Sequence, residues 1–285
     1  MATCISLLIG LSACSPSNEI IPTQTILSPT PTVTATFTPS PVPVTSTPTP
    51  NTCSNENGLV QQDVVKTTNP PQEFLIYLPP CYKSTTDFHF PVLYLLHGQT
   101  YTDDQWVRLG VPTIADRLIH EGRITPFIIV FPDDHYWNVP AGAGFGDRFI
   151  NDLIPYVDEN YDTFAVRSRR SLGGLSRGGG WVIDLGFTHP ELFGALGLHS
   201  PAIKAENGPY LERMIKSVSE NQRPQIWLDL GDADSEMEST LALEDKLTQN
   251  NYILEFHLYA GDHTEKYWSA HVEEYLLWYA KQWAD

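Results

Sequence analysis

The sequence predicts an α/β fold built on a mostly parallel central sheet of about eight strands, with helices on both faces. Apolar, β-rich runs alternate with helical patterns from residue 53 onward. The runs are continuously apolar, as strands buried on both faces must be. A serine flanked by glycines stands where one of these runs gives way to a helix, at Gly174-Leu175-Ser176-Arg177-Gly178.

Ahead of the domain come two other kinds of segment. Residues 1–13 join an apolar run, Ile5 to Leu11, to small residues, the layout of an export signal, and the run is too short to cross a bilayer. Leu11-Ser12-Ala13-Cys14 resembles the bacterial lipobox, which implies cleavage before Cys14, lipidation of that cysteine and a protein exported to the bacterial cell surface and held to the membrane by lipid. No Lys or Arg precedes the apolar run, a departure from the usual pattern, and a conventionally cleaved or uncleaved signal is the alternative. Residues 14–52 then form a stalk: positions 21–52 hold 8 prolines, 11 threonines and no charged residue, so they favour extended chain over a core. The folded domain is expected over residues 53–285. Cys53 and Cys81 bracket a predicted hairpin, and an exported chain accommodates either one disulfide or two buried thiols there.

The hairpin strands are Leu59 to Thr67 and Glu73 to Leu78. Five further runs follow at Val92 to Leu96, Phe127 to Phe131, Ser171 to Leu175, Phe193 to Leu198 and Ile226 to Leu230, and the last is Ile253 to Tyr259. Between them, Gly146 to Asn160 carries Phe149, Ile150, Leu153, Ile154 and Val157 on one helical face, with Pro155 predicting a kink or an early end. At the C-terminus, Val272, Tyr275, Leu276, Tyr279, Ala280 and Trp283 recur at helical spacing, opposite Glu273, Glu274 and Lys281. Ser200 to Pro224 is long enough for a partial lid, and its apolar content equally suits one packed helix.

The formal net charge of −17 argues against a polyanionic partner, so nucleic acid is not expected. No metal-ligand cluster or phosphate-cradling loop stands in the sequence, and neither a metal nor another cofactor is expected.

The chemistry centres on Ser176. A G-x-S-x-G between strand and helix is the nucleophile elbow of α/β-hydrolases, where the turn is so tight that side chains beside the serine would clash. A serine hydroxyl needs an imidazole to take its proton and a carboxylate to orient that imidazole. In this fold they follow in the order serine, acid, histidine, each just past a later strand. Asp234 follows the Ile226 to Leu230 strand and His263 follows the last one. Asp232 is a rival for the acid, whereas Asp229 lies within its strand. His97, His199 and His257 are expected to be structural. Two amide donors must meet the developing oxyanion: the N–H of Arg177, and that of Gln99 in the loop after Val92 to Leu96. Both act through backbone, so no cationic role is expected of Arg177.

Tyr94-Leu95-Leu96-His97-Gly98 with Trp106, Leu153-Ile154-Pro155-Tyr156-Val157, Gly173 through Gly179, His189-Pro190-Glu191-Leu192-Phe193, Asp234 and Gly261-Asp262-His263 with Trp268 resemble the esterase D type of α/β-hydrolase. That group includes feruloyl and acetyl xylan esterases of the first carbohydrate esterase family and the related mycolyltransferases. The resemblance runs from about residue 58 to 283 and implies Ser176, Asp234 and His263 as a triad with Gln99 and Arg177 as oxyanion donors. Methionine or glutamine more often follows the serine in that group, so Arg177 departs from its pattern.

The function expected is therefore hydrolysis of a carboxylic ester through an acyl-serine, with an ester pendant on plant polysaccharide as substrate. Acyl transfer to a sugar is the alternative, and a non-catalytic carbohydrate-binding protein is a third reading. Trp106, Tyr136, Trp137 and Trp268, with Tyr101 and Tyr267, fall near the expected carboxyl ends of the strands, where aromatic faces either bind substrate or pack the loops.

Overall fold

A computed structural model describes residues 56–80, 82, 88–134, 144–203 and 208–284. The signal and stalk, Cys14, Cys53, Cys81, Tyr136 and Trp137 lie outside the described residues.

Eight strands form one sheet in the order β1-β2-β4-β3-β5-β6-β7-β8. The hairpin β1 (Leu59–Val65) and β2 (Gln72–Leu78) is antiparallel, and β2 lies antiparallel to β4 (Ile128–Pro132). From β4 the sheet is parallel through β3 (Val92–Leu96), β5 (Arg170–Leu175), β6 (Ala195–His199), β7 (Gln225–Gly231) and β8 (Leu254–Tyr259).

Why the central runs are continuously apolar is plain in β3. Val92, Tyr94 and Leu96 enter one core layer and Leu93 and Leu95 the other, so no position faces water. One layer is covered by α1 (Gln105–Arg108), α2 (Val111–His120) and α8 (Glu265–Lys281). The other is covered by α3 (Phe145–Arg148), α4 (Ile154–Asn160), α5 (Arg177–Thr188), α6 (Gly208–Ser217) and α7 (Met237–Gln249). Each fully buried aliphatic or aromatic side chain in these layers contributes roughly 1.5–3 kcal/mol.

The last strand departs from the expectation of burial on both faces. β8 is the sheet edge, and Glu255 and Leu258 on its opposite faces are exposed, Leu258 at 50%.

Pro155 does not bring the early end that its position allowed. The helix continues past it to Asn160, with a π segment, Phe149–Leu153, before it and Pro155 in the first turn of α4. The Ile154 N–H donates to the Phe149 carbonyl, five residues back, and in the first turn of α4 the N–H that proline lacks is tolerated. Between Ser200 and Pro224, α6 packs Leu211, Met214 and Ile215 into the core, so the apolar content there serves a packed helix.

Candidate active site

Ser176 ends β5 and caps α5 with φ 53° and ψ −121°, a conformation that L-residues avoid. The glycines make it possible: a Cβ on Gly174 would sit 2.5 Å from the Gly178 carbonyl carbon, and one on Gly178 would collide with the Leu96 oxygen. The turn is held by the Ser176 N–H donating to the His199 carbonyl at 3.0 Å, while the Ala202 and Gly180 N–H groups donate to the Ser176 carbonyl. The elbow thus presents Oγ at the carboxyl edge of the sheet, at the head of α5.

His263 lies in the loop between β8 and α8, and its Nε2 is 2.8 Å from Ser176 Oγ. Its Nδ1 faces Asp234, in the turn between β7 and α7, at 2.9 and 3.1 Å from the two carboxylate oxygens. A carboxylate accepts only, so the hydrogen-bond network assigns the proton to Nδ1 and leaves Nε2 a free lone pair facing the serine hydroxyl. Burial alone would raise the Asp234 pKa. Hydrogen bonds from His263, the Glu236 N–H and Ser200 outweigh it and hold the carboxyl below its ordinary value. The Trp268 ring stands edge-on to His263 at 5.0 Å, and its Nε1 donates to Ser200 Oγ at 3.2 Å.

Asp232 does not reach the imidazole; its Oδ1 accepts the Gly261 N–H at 3.0 Å and shapes the loop that carries His263. Asp229 is fully buried and accepts from His199 Nδ1, Trp227 Nε1, Tyr267 Oη and Tyr275 Oη. His257 stacks on Trp227 at 3.9 Å. His97 is buried, with Nδ1 against the Gly98 carbonyl and Nε2 accepting the Asp134 N–H, both at 2.8 Å.

Among the described residues, neither the Gln99 nor the Arg177 N–H is spent on a hydrogen bond. The Arg177 guanidinium turns to Asp134, which also accepts Trp181 Nε1 at 2.7 Å. Its charge is thereby neutralised beside the serine.

A cavity of about 380 Å³ opens over Ser176 and His263, lined by Gly98, Gln99, Tyr101, Leu175 and Trp268 together with Thr264, Glu265 and Lys266. Trp106, expected as a possible substrate platform, is instead 1% exposed. Its Nε1 donates to the Leu96 carbonyl at 3.0 Å and its ring meets His199 edge-on, so it packs beneath the loop. Tyr267 is likewise buried, committed to Asp229. Of the described aromatic residues singled out, Tyr101 and Trp268 border the cavity.

Sequence reasoning passed over Gln105, Asp134 and Glu265. Gln105 and Asp134 are polar, lie next to loops and are buried in contacts with distant parts of the chain, for which no local pattern exists.

The eight-stranded, mostly parallel sheet with a strained serine at its carboxyl edge defines the α/β-hydrolase fold. The family model described as "Putative esterase" matches residues 66–279, and the chain belongs to that esterase family. An endo-1,4-beta-xylanase/feruloyl esterase of Xylanibacter ruminicola is 32% identical over 162 residues, which is 53% of this chain and 22% of that protein. The chain therefore spans about a fifth of that relative's length. Among solved structures, a ferulic acid esterase superposes with a TM-score of 0.71 at 22% identity, covering 80% of this chain and all of the other. A feruloyl esterase module from Clostridium thermocellum, complexed with sinapinate, gives 0.70 at 18% identity, covering 80% and 90%. The fold is that of the esterase D and feruloyl esterase group.

Proposed function

We propose that the chain is a serine carboxylic-ester hydrolase that acts through an acyl-Ser176 intermediate on short acyl or feruloyl esters of plant polysaccharide. The single observation that carries this reading is the alignment of Ser176 Oγ, His263 and Asp234 at 2.8 and 2.9 Å.

In this mechanism Oγ attacks the ester carbonyl carbon while His263 Nε2 takes the hydroxyl proton, and Asp234 stabilises the imidazolium. The carbonyl oxygen becomes an oxyanion, met by the Gln99 and Arg177 N–H groups. The C–O bond then breaks, the alcohol leaves with the proton from His263, and the acyl group stays on Ser176. Water, deprotonated by the same ring, attacks the acyl-enzyme, and the free acid departs as Oγ regains its proton.

The cavity supports a sugar ester. At about 380 Å³ it is near the lower end of ligand pockets, roughly 300–1,000 Å³, which suits one ring better than a long chain. Thr264 and Lys266 offer hydroxyl partners, and Tyr101 offers an exposed aromatic face. The feruloyl esterase relatives point the same way.

The test is a panel of acetyl, feruloyl and longer acyl esters, assayed with wild type and Ser176→Ala, with the free acid and any acyl-sugar product quantified separately. Free acid from the short and feruloyl esters, lowered about 10⁴- to 10⁶-fold in Ser176→Ala, is expected. Acyl-sugar as the main product would make the protein a transferase, and no Ser176-dependent turnover of any ester would leave a binding protein.

A further inference from the structure

An oxyanion donor is useful only if its N–H points at one place before the substrate arrives, and backbone at a glycine does not hold itself there. Around Gly98 both flanking peptide groups are pinned. Its carbonyl is 2.8 Å from His97 Nδ1 and accepts the Tyr101 N–H at 3.3 Å. In a planar trans peptide the N–H points opposite the carbonyl, so fixing the Gly98 oxygen also aims the Gln99 N–H.

The other peptide group is held by a side chain. The Gly98 N–H donates to Gln105 Oε1 at 2.8 Å, and Gln105 Nε2 donates to Glu265 Oε1 at 3.2 Å. Gln105 is 0% exposed. Arg108 Nη1 donates to both Glu265 oxygens at 3.1 and 3.3 Å, and Arg108 Nε to Asp104. Gln105 begins α1, and Glu265 begins α8, two residues after His263. One buried amide thus joins the loop that carries an oxyanion donor to the helix that follows the imidazole. The bridge needs an acceptor on one side and a donor on the other, which also settles the orientation of the amide. A carboxylate would face Glu265 with like charge, a cation would have no lone pair for Gly98, and an aliphatic side chain would serve neither.

We infer that Gln105, anchored by Glu265, is a positioning residue that sets the Gln99 N–H for transition-state binding. The inference rests on the reading of Ser176 as the nucleophile.

The experiment measures kcat and KM on p-nitrophenyl acetate for wild type, Gln105→Glu, Glu265→Gln, the double variant and Ser176→Ala, with thermal unfolding of each. Removing an oxyanion donor lowers kcat about 10²- to 10³-fold, and misplacing one by about an ångström lowers it up to roughly 10²-fold. Gln105→Glu is therefore expected to lower kcat about 10- to 100-fold with KM within about twofold. The double variant restores the donor and acceptor pair in reversed order, and its kcat should return to within about threefold of wild type. A folded Gln105→Glu protein with wild-type kcat, a change confined to KM, or no recovery in the double variant overturns the inference. If Gln105→Glu does not fold, Glu265→Leu removes the anchor from a partly exposed position and must show the same fall in kcat for the inference to stand. Turnover that survives Ser176→Ala strikes at the nucleophile reading instead, so the two failures are distinct.

Discussion

His263 Nδ1 faces both carboxylate oxygens of Asp234, at 2.9 and 3.1 Å, and Asp234 receives the Glu236 N–H on the same side chain. This arrangement fixes which imidazole nitrogen bears the proton, and it separates Asp234 from Asp232, a neighbour of the same chemistry with a different task.

Asp234→Asn should lower kcat by about 10⁴-fold, because an amide also donates and so admits the wrong imidazole tautomer. Asp232→Asn should stay within a few-fold of wild type, since its oxygen still accepts the Gly261 N–H. Steady-state kinetics of the two variants checks the ranking. The carboxyl of Asp234 is held below its ordinary value, so the stability it adds is present above about pH 4 and lost as pH falls through its folded value. The difference in Tm between wild type and Asp234→Asn should narrow over that acid range.

The Asp229 carboxylate lies in the core between the sheet and α8 with four donors at 2.6 to 2.8 Å. Removing it leaves His199, Trp227, Tyr267 and Tyr275 with unmet polar groups where no water reaches. Asp229→Ala should cost about 3–5 kcal/mol, a fall in Tm on the order of 10 °C. Urea unfolding measures it, and a loss below about 1 kcal/mol would contradict the account.

Asp103, in the loop after β3, has its pKa pushed up to about 6 by burial and by the nearby Asp133 charge. Its neutral form is favoured in the folded state, so its contribution is full below the unfolded value near 3.8 and is lost as pH rises to about 6. Asp103→Asn should therefore leave stability unchanged near pH 4 and raise it above pH 6 by about 1 kcal/mol, after discounting for partial exposure. Tm measured against pH for both proteins tests the sign.

Trp106 packs under the loop instead of meeting substrate. Trp106→Phe should lower stability by about 1 kcal/mol through loss of the bond to the Leu96 carbonyl. Its KM for a small ester should not change.

What the chain discloses in advance follows from how local each constraint is. The elbow was legible because its glycines, its strand and its helix are consecutive, and the order of Asp234 and His263 follows from strand ends that apolar runs mark. Gln105 was not legible, because its partners lie 7 and 160 residues away and only the assembled sheet brings them together. Trp106 stayed open between substrate and packing because loop aromatics look alike until burial separates them. Pro155 allowed a kink or an early end because a proline forbids one backbone bond, and the helix runs on to Asn160.

The most direct test of the central claim is mass spectrometry, intact and after peptic digestion, of the protein quenched in acid during turnover of a slow feruloyl ester. An acyl mass increment on the peptide that holds Ser176, absent from Ser176→Ala, is the predicted result. Turnover with no such adduct, and undiminished in Ser176→Ala, would contradict it.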